Sequence, residues 1–138
     1  MRYRRLGRTG LRVSELSYGA ARGASEDPKQ FIATVHACLD AGVNFIDSAA
    51  GYDGGLSETV LGEALQGYDD VFVETKYCPY ESYAVGAAYI GTPQALVASA
   101  EESLRRLRRD CVDVFLGHGI RTLDTLDRFM NDGCYDAM

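Results

Sequence analysis

Four side chains that can donate, accept or stabilise a proton each follow a short apolar run: Asp47, Tyr52, Lys76 and His118. Short apolar runs of this kind are typical of the buried strands of a parallel sheet. The carboxyl ends of such strands meet at one edge, where loops converge. We therefore expect an acid, a phenol, an amine and an imidazole to lie together at that edge, after the runs 43–46, 71–75 and 112–117.

Together these groups could protonate a carbonyl oxygen. A free phenol, with a pKa near ~10, is a poor proton donor at neutral pH. An ammonium about 4 Å away, at an effective dielectric of about 20, stabilises the phenolate by roughly 4 kcal/mol. We expect Lys76 to make Tyr52 a better donor and Asp47 to keep Lys76 charged. His118 would orient the substrate oxygen. A hydride donor is then missing, and a nicotinamide would supply it.

The elements that must position these residues alternate along the chain. A hairpin is predicted over 2–13, with its turn at Gly7-Arg8-Thr9-Gly10. Strands are predicted over 16–19, 43–46, 71–75 and 112–117, and helices from Pro28, Ser57 and Pro93. This alternation predicts right-handed crossovers and a parallel sheet.

The third predicted helix has two distinct faces. Its apolar stripe consists of Leu96, Val97, Ala100, Leu104 and Leu107. The opposite face carries acids and arginines, several at the supportive four-residue spacing: Glu101, Glu102, Arg105, Arg106, Arg108 and Arg109. We interpret this charged face as solvated rather than as a binding patch.

Two further stretches have less definite patterns. The loop over 77–91 contains Tyr77, Tyr80, Tyr83 and Tyr89, which either line a substrate mouth or cover apolar surface. After residue 120, apolar side chains recur at helical spacing: Leu123, Leu126, Phe129 and Met130. We expect the chain to end inside this fourth crossover helix.

Composition indicates a single ordinary globular domain over residues 1–138. Its apolar share is 46%, its charged share is 25%, and its net charge of -6 disfavours nucleic acid and anionic membranes as partners. The absence of any apolar run long enough for a signal peptide or a membrane span predicts a cytoplasmic location. The four cysteines are far apart without a Cys-x-x-Cys pair, so we expect reduced thiols, no disulfide framework and no metal site.

An ordered set of motifs resembles the aldo-keto reductase family: Ile46-Asp47-Ser48-Ala49-Ala50-Gly51-Tyr52, Ser57-Glu58-x-x-Leu61-Gly62, Thr75-Lys76 and Asp113-x-x-x-x-His118. The resemblance runs from about Arg2 to Ile120. It implies a (β/α)8 TIM-barrel fold, present here as an N-terminal half-barrel of about four βα units preceded by a β-hairpin. It also implies reduction of aldehydes or ketones with NADPH, less often with NADH.

The resemblance also implies roles for individual residues. Tyr52 would be the general acid, Lys76 and Asp47 its tuning pair, and His118 the orienting residue. Gly19, Ala20 and Asp47 would contact the nicotinamide ribose. The family takes most of its cofactor contacts from the four later strands, so most of that binding site is expected outside this chain.

A second hypothesis assigns no catalysis to the chain. A half-barrel with an open sheet edge and an uncovered apolar face would need a partner, and self-association is one possibility. Such a chain would act as an interaction module, or as a cofactor-sensing subunit resembling the family's potassium-channel β subunits. The activity of the isolated chain is left open between these two hypotheses.

Overall fold

The computed structural model describes residues 1–82, 84 and 86–138, and in it short strands alternate with helices. The strands are β1 (Tyr3–Arg5), β2 (Arg12–Ser14), β3 (Tyr18–Gly19), β4 (Phe45–Asp47), β5 (Phe72–Tyr77) and β6 (Val114–Gly117). The helices are α1 (Pro28–Asp40), α2 (Leu56–Ala64), α3 (Pro93–Leu107), α4 (Leu123–Asn131) and α5 (Cys134–Ala137), with a 3₁₀ turn over Tyr52–Gly55.

The predicted hairpin and parallel sheet are both confirmed. Strands β1 and β2 pair antiparallel, and the other four strands form a parallel sheet in the order β3-β4-β5-β6. The register places Gly19 opposite Asp47, Asp47 opposite Glu74, and Lys76 opposite Leu116. Successive strands are therefore neighbours, which is the arrangement of half of a (β/α)8 barrel.

Local signals in the sequence account for the helix starts. The Asp27 carboxylate accepts a hydrogen bond from the Gln30 N–H at 3.0 Å, and the Thr92 hydroxyl accepts one from the Ala95 N–H at 3.1 Å. In each case the next residue is a proline, whose missing N–H has no partner in a first helical turn. Gly42, at φ +90°, then reverses the chain from α1 into β4.

The main core lies between the sheet and the first two helices of the parallel unit. Ile46 and Val73 project from β4 and β5 against Val35 of α1 and Leu61 of α2, and all four are fully buried. Burial of each such side chain contributes about 1.5–3 kcal/mol, so this packing holds the strands in place. A smaller cluster joins β5 to α3, α4 and α5 through Tyr77, Leu96, Phe129 and Cys134.

Two details of the predicted elements are wrong. The first strand of the parallel sheet is only Tyr18–Gly19, and Leu16 is exposed outside it. Val97, which we placed on the apolar stripe of α3, is 42% exposed. The buried stripe of α3 is narrow and runs through Leu96 and Leu107. Because consecutive helical residues point about 100° apart, Val97 lies outside this stripe although it follows Leu96 directly.

The fourth predicted helix is present as α4, but most of its apolar side chains are exposed. Phe129 is buried, whereas Leu123 is 79% exposed, and Leu126 and Met130 are also exposed. Leu116 on β6, an outer strand of the four-stranded sheet, is exposed as well. Self-association through this open edge stays a prediction.

Two further observations concern the class of protein. All four cysteines are free thiols. Among the described residues, no helix combines the length and the hydropathy that crossing a bilayer requires.

Candidate active site

Three neighbouring strands bring the predicted reactive groups to one edge of the sheet. Asp47 is the last residue of β4, and Lys76 is the next-to-last residue of β5. His118 directly follows β6, and its backbone N–H donates to the Tyr77 carbonyl at 2.7 Å, which extends the parallel ladder by one bond. Parallel register therefore places side chains from distant parts of the sequence at the same level.

Lys76 is the centre of this edge and is buried. Its Nζ contacts Oδ1 of Asp47 in an ion pair, donates to the Ser48 carbonyl at 2.7 Å and lies 3.3 Å from Oε1 of Glu74. An ammonium has three N–H donors, so the three acceptors match its full capacity. We call Asp47, Tyr52, Glu74, Lys76 and His118 the rim cluster.

Tyr52 and His118 complete the rim cluster. The Lys76 Nζ lies 5.3 Å from the centre of the Tyr52 ring, and the His118 ring packs edge-to-face on that ring, with the ring centres 5.6 Å apart. Tyr52 begins the 3₁₀ turn after β4, in which Asp53 has a φ of +49°. The structure thus brings all four predicted catalytic side chains together.

Burial shifts the pKa of two members of the rim cluster. It lowers the pKa of His118 from its ordinary value, and the nearby positive charge of Lys76 lowers it further, while Asp47 acts in the opposite direction. Neutral imidazole, which can donate one hydrogen bond and accept another, is therefore favoured at neutral pH. Burial also raises the pKa of Glu74; Lys76 opposes this shift and Asp47 adds to it.

Sequence reasoning did not select Glu74. It lies two residues before Lys76 on β5, so the two side chains point to the same face of the sheet. The register also pairs it with Asp47 on β4. The period-two alternation of the strand was the signal that could have found it.

An open pocket of about 450 Å³ lies beside the rim cluster. Tyr52 and His118 line one part of it, and Arg22 and Glu26, from the loop after β3, line another. The Asp53 carboxylate accepts a hydrogen bond from the Ser25 N–H at 3.1 Å and so ties the two loops together. This volume is within the usual range for small-molecule sites.

The predicted cofactor contacts have different surroundings. Gly19 is exposed, with no atom within 4 Å of the place where a Cβ would stand. Ala20 is fully buried; its N–H donates to the Asp47 carbonyl at 2.8 Å and its carbonyl accepts a bond from the Ser57 hydroxyl. The Asp47 side chain is 37% exposed. Gly19 thus faces open space and the Asp47 carboxylate is partly exposed beside Lys76, whereas the polar groups of Ala20 are paired inside the fold.

The tyrosine-rich loop packs on itself and on arginines. Tyr77 is buried in the smaller core cluster, while Tyr80 and Tyr89 pack edge-to-face with their ring centres 6.1 Å apart. Arg121 and Arg128 stack over the Tyr80 and Tyr89 rings, at 5.6 and 4.1 Å. Tyr77 thus packs in an apolar cluster, whereas the role of Tyr80 and Tyr89, as a substrate mouth or as a cover over apolar surface, stays a prediction. Tyr83 lies outside the described residues.

A second charged network lies on the helix-facing side of the same strand. Thr75 of β5 donates to Oε1 of Glu58 at 2.5 Å, and Arg106 donates to Oε2 of Glu58 at 2.8 Å. Glu58 is fully buried and the Arg106 side chain is only 21% exposed. The interpretation of the charged face of α3 as solvated is therefore wrong for Arg106. We call Glu58, Thr75 and Arg106 the buried bridge.

Parallel β/α architecture, with reactive side chains at the carboxyl ends of the strands, defines a protein of the α/β-barrel class. The family model described as the aldo/keto reductase family matches residues 15–131. The chain belongs to this family.

Two plant proteins illustrate the similarity at the sequence level. A rice (Oryza sativa subsp. japonica) protein named a probable voltage-gated potassium channel subunit beta is 40% identical, over 86% of this chain and 37% of its own length. The L-galactose dehydrogenase of Arabidopsis thaliana is 33% identical, over 94% of this chain and 41% of its own length. The chain thus spans about two fifths of the length of these relatives.

Solved structures agree with the half-barrel fold. An aldo-keto reductase from Bacillus halodurans in its holo form is 28% identical, with a TM-score of 0.74, over 99% of this chain and 48% of that one. An aldo-keto reductase from Klebsiella pneumoniae in complex with NADPH is 25% identical, with a TM-score of 0.66, over 90% of this chain and 44% of that one. The matched region is about half of each solved chain.

Proposed function

We propose that this chain carries the proton-transfer half of an NADPH-dependent oxidoreductase that reduces aldehydes or ketones to alcohols, with NADH as a possible substitute. The observation that supports the proposal is the rim cluster. The Lys76 ammonium, paired with Asp47, lies 5.3 Å from the centre of the Tyr52 ring, and the His118 ring packs edge-to-face on the same ring. The open pocket beside Tyr52 and His118 offers room for a small carbonyl compound.

In this mechanism, the substrate oxygen lies between the Tyr52 hydroxyl and the His118 ring. The nicotinamide, when bound, supplies the hydride that the carbonyl carbon accepts. Tyr52 gives its proton to the oxygen, and the Lys76 ammonium stabilises the negative charge that remains on the phenolate. Asp47 keeps Lys76 protonated in its buried position. Neutral His118 donates a hydrogen bond that orients the carbonyl.

The residues available for the cofactor fit a ribose. The surface beside Gly19 is open, and the partly exposed Asp47 carboxylate next to it is a hydrogen-bond acceptor for a hydroxyl group. Ala20 supports this surface from below through its bonds to Asp47 and Ser57. The NADPH complex of the Klebsiella pneumoniae relative supports the choice of a nicotinamide.

Turnover of the Tyr52→Phe variant tests the proposal. NADPH oxidation in the presence of an aromatic aldehyde would be followed for the unsubstituted protein and for the variant. We expect the substitution to lower kcat by about 10²–10⁴-fold, because the proton donor is lost while the ring is kept. Tyr135→Phe, in the exposed part of α5, is the matched control and should leave turnover unchanged. Equal rates for wild type and Tyr52→Phe would refute the assignment.

The same assay separates the second hypothesis from the first. A cofactor-sensing or interaction module would bind NADPH without any aldehyde-dependent oxidation. The convergence of the four side chains beside one pocket favours the enzyme, because clusters of titratable groups with shifted pKa values in a cleft are typical of catalytic sites.

A further inference from the structure

Glu74 is a third partner of the amine on which the proposed chemistry depends. Its Oε1 lies 3.3 Å from the Lys76 Nζ, and its side chain is only 12% exposed. Asp47 and the Ser48 carbonyl occupy the two other donor positions of the ammonium. Lys76 therefore directs its three N–H groups to two carboxylates and one carbonyl, and the Tyr52 ring lies 5.3 Å from the same nitrogen.

The charge on Glu74 changes the charge balance around the Lys76 ammonium. With both carboxylates ionised, the group of Asp47, Glu74 and Lys76 carries a net charge of about -1, which disfavours a phenolate beside it. With a proton on Glu74, that net charge falls to about zero and the third N–H of Lys76 is no longer held by a carboxylate.

We propose that Glu74 is a positioning residue of the Tyr52–Lys76 pair: as a carboxylate it holds the third N–H of Lys76, and as a carboxylic acid it releases that N–H toward the Tyr52 phenol. This inference rests on the proposed function, since it concerns the same proton donor. It assigns a role to a residue that lies outside the four reactive groups predicted from the sequence.

The surroundings of Glu74 support proton uptake by this carboxyl group. The neighbour of Glu74 on β4 is Asp47, and its neighbour on β6 is the uncharged Val114. On its own strand, β5, Glu74 contacts Lys76. His118 and Tyr52 approach the same ammonium from the rim. Burial raises the pKa of Glu74, Lys76 opposes that shift, and the Asp47 charge adds to it. Glu74 is therefore the carboxyl group of this pair whose proton uptake is favoured by its surroundings.

The direction of the pH effect follows from this. As the pH rises through the titration of Glu74, a second carboxylate forms at Lys76 and the support of the phenolate by Lys76 weakens. Glu74→Gln keeps the shape of the side chain but cannot ionise, so it should hold the site permanently in its supportive state.

Carboxyl-carbon and tyrosine ring-carbon NMR of the 138-residue chain test this directly. We expect the Glu74 carboxyl, assigned by its loss in Glu74→Gln, to titrate above the ordinary value of 4.5. We expect Glu74→Gln to move the Tyr52 phenol titration down by about one pH unit, a tenfold gain in phenolate at fixed pH. Glu101→Gln, which removes an equal charge from the exposed face of α3, should move neither titration.

Two results would overturn the inference. One is a Glu74 titration at or below the ordinary value. The other is a Tyr52 titration that Glu74→Gln leaves unchanged or moves upward. If Glu74→Gln fails to fold, the wild-type titration of Glu74 still decides the question. The Glu74→Asp variant then assigns the carboxyl signal. Because neither measurement requires turnover, a failed reductase assay with intact titrations would refute the proposed function alone.

Discussion

Thr75 and Lys76 are neighbours on β5, yet they belong to networks of opposite character. Thr75 points toward the helices and joins the buried bridge, in which Glu58 is fully buried. Lys76 points to the other face and joins the rim cluster, in which the Asp47 side chain is 37% exposed. The buried bridge pairs one acid with one cation, whereas the rim cluster places two acids on one cation beside an open pocket, so the two networks differ in charge balance and in the access of water to the acids.

This difference determines what each network does. In the buried bridge, both oxygens of Glu58 have a partner, and neither can exchange that partner for water. In the rim cluster, the charges border an open pocket, and two groups have perturbed pKa values. A satisfied and closed network holds elements together, whereas a partly open one can change its protonation during a reaction.

The largest expected effect comes from removing the cation of the buried bridge. Arg106→Met leaves the Glu58 carboxylate buried without its counter-charge, which typically costs 3–5 kcal/mol, so we expect about that loss in the free energy of unfolding. Urea denaturation measures it. Arg105→Met removes the exposed ion pair with Glu102 on the same helix and should cost less than about 1 kcal/mol.

A smaller effect is expected from the corresponding change at the rim. Lys76→Met removes hydrogen bonds to charged acceptors, but water and protons can reach Asp47, so we expect a loss of about 1–2 kcal/mol at neutral pH. The loss should shrink in mild acid, as Glu74 takes up a proton. If Lys76→Met destabilised the chain more than Arg106→Met does, the contrast between the two networks would be wrong.

The smallest effect is a pH dependence due to His118. Its pKa is lowered in the folded chain, so its contribution to stability is present above the ordinary value of 6.5 and is lost as the pH falls through the folded pKa. We expect this loss of stability in acid to be less than about 1 kcal/mol, because the side chain is partly exposed and screened. His118→Asn should remove it. Denaturation at several pH values, compared with wild type, measures it. A wild-type curve that matches that of His118→Asn at every pH would contradict this expectation.

The sequence alone determined most of the framework. Pro28 and Pro93, each after a capping residue, mark helix starts that the structure confirms. The short apolar runs became parallel strands, and Asp47, Lys76 and His118 appear where those strands end. These features depend on interactions between residues close in the chain, and on the rule that parallel strands end at the same edge, so a pattern is enough to predict them.

Only the tertiary structure decided which charges lose their water and which groups share a partner. Arg106 appeared solvated on its own helix, but packing of α3 against α2 brings it to the buried Glu58, 48 positions earlier. Glu74 became a partner of Lys76 and Asp47 through the register between β4 and β5, and burial raised its pKa. Desolvation and cross-strand register arise from elements distant in sequence, and for that reason no local pattern contains them.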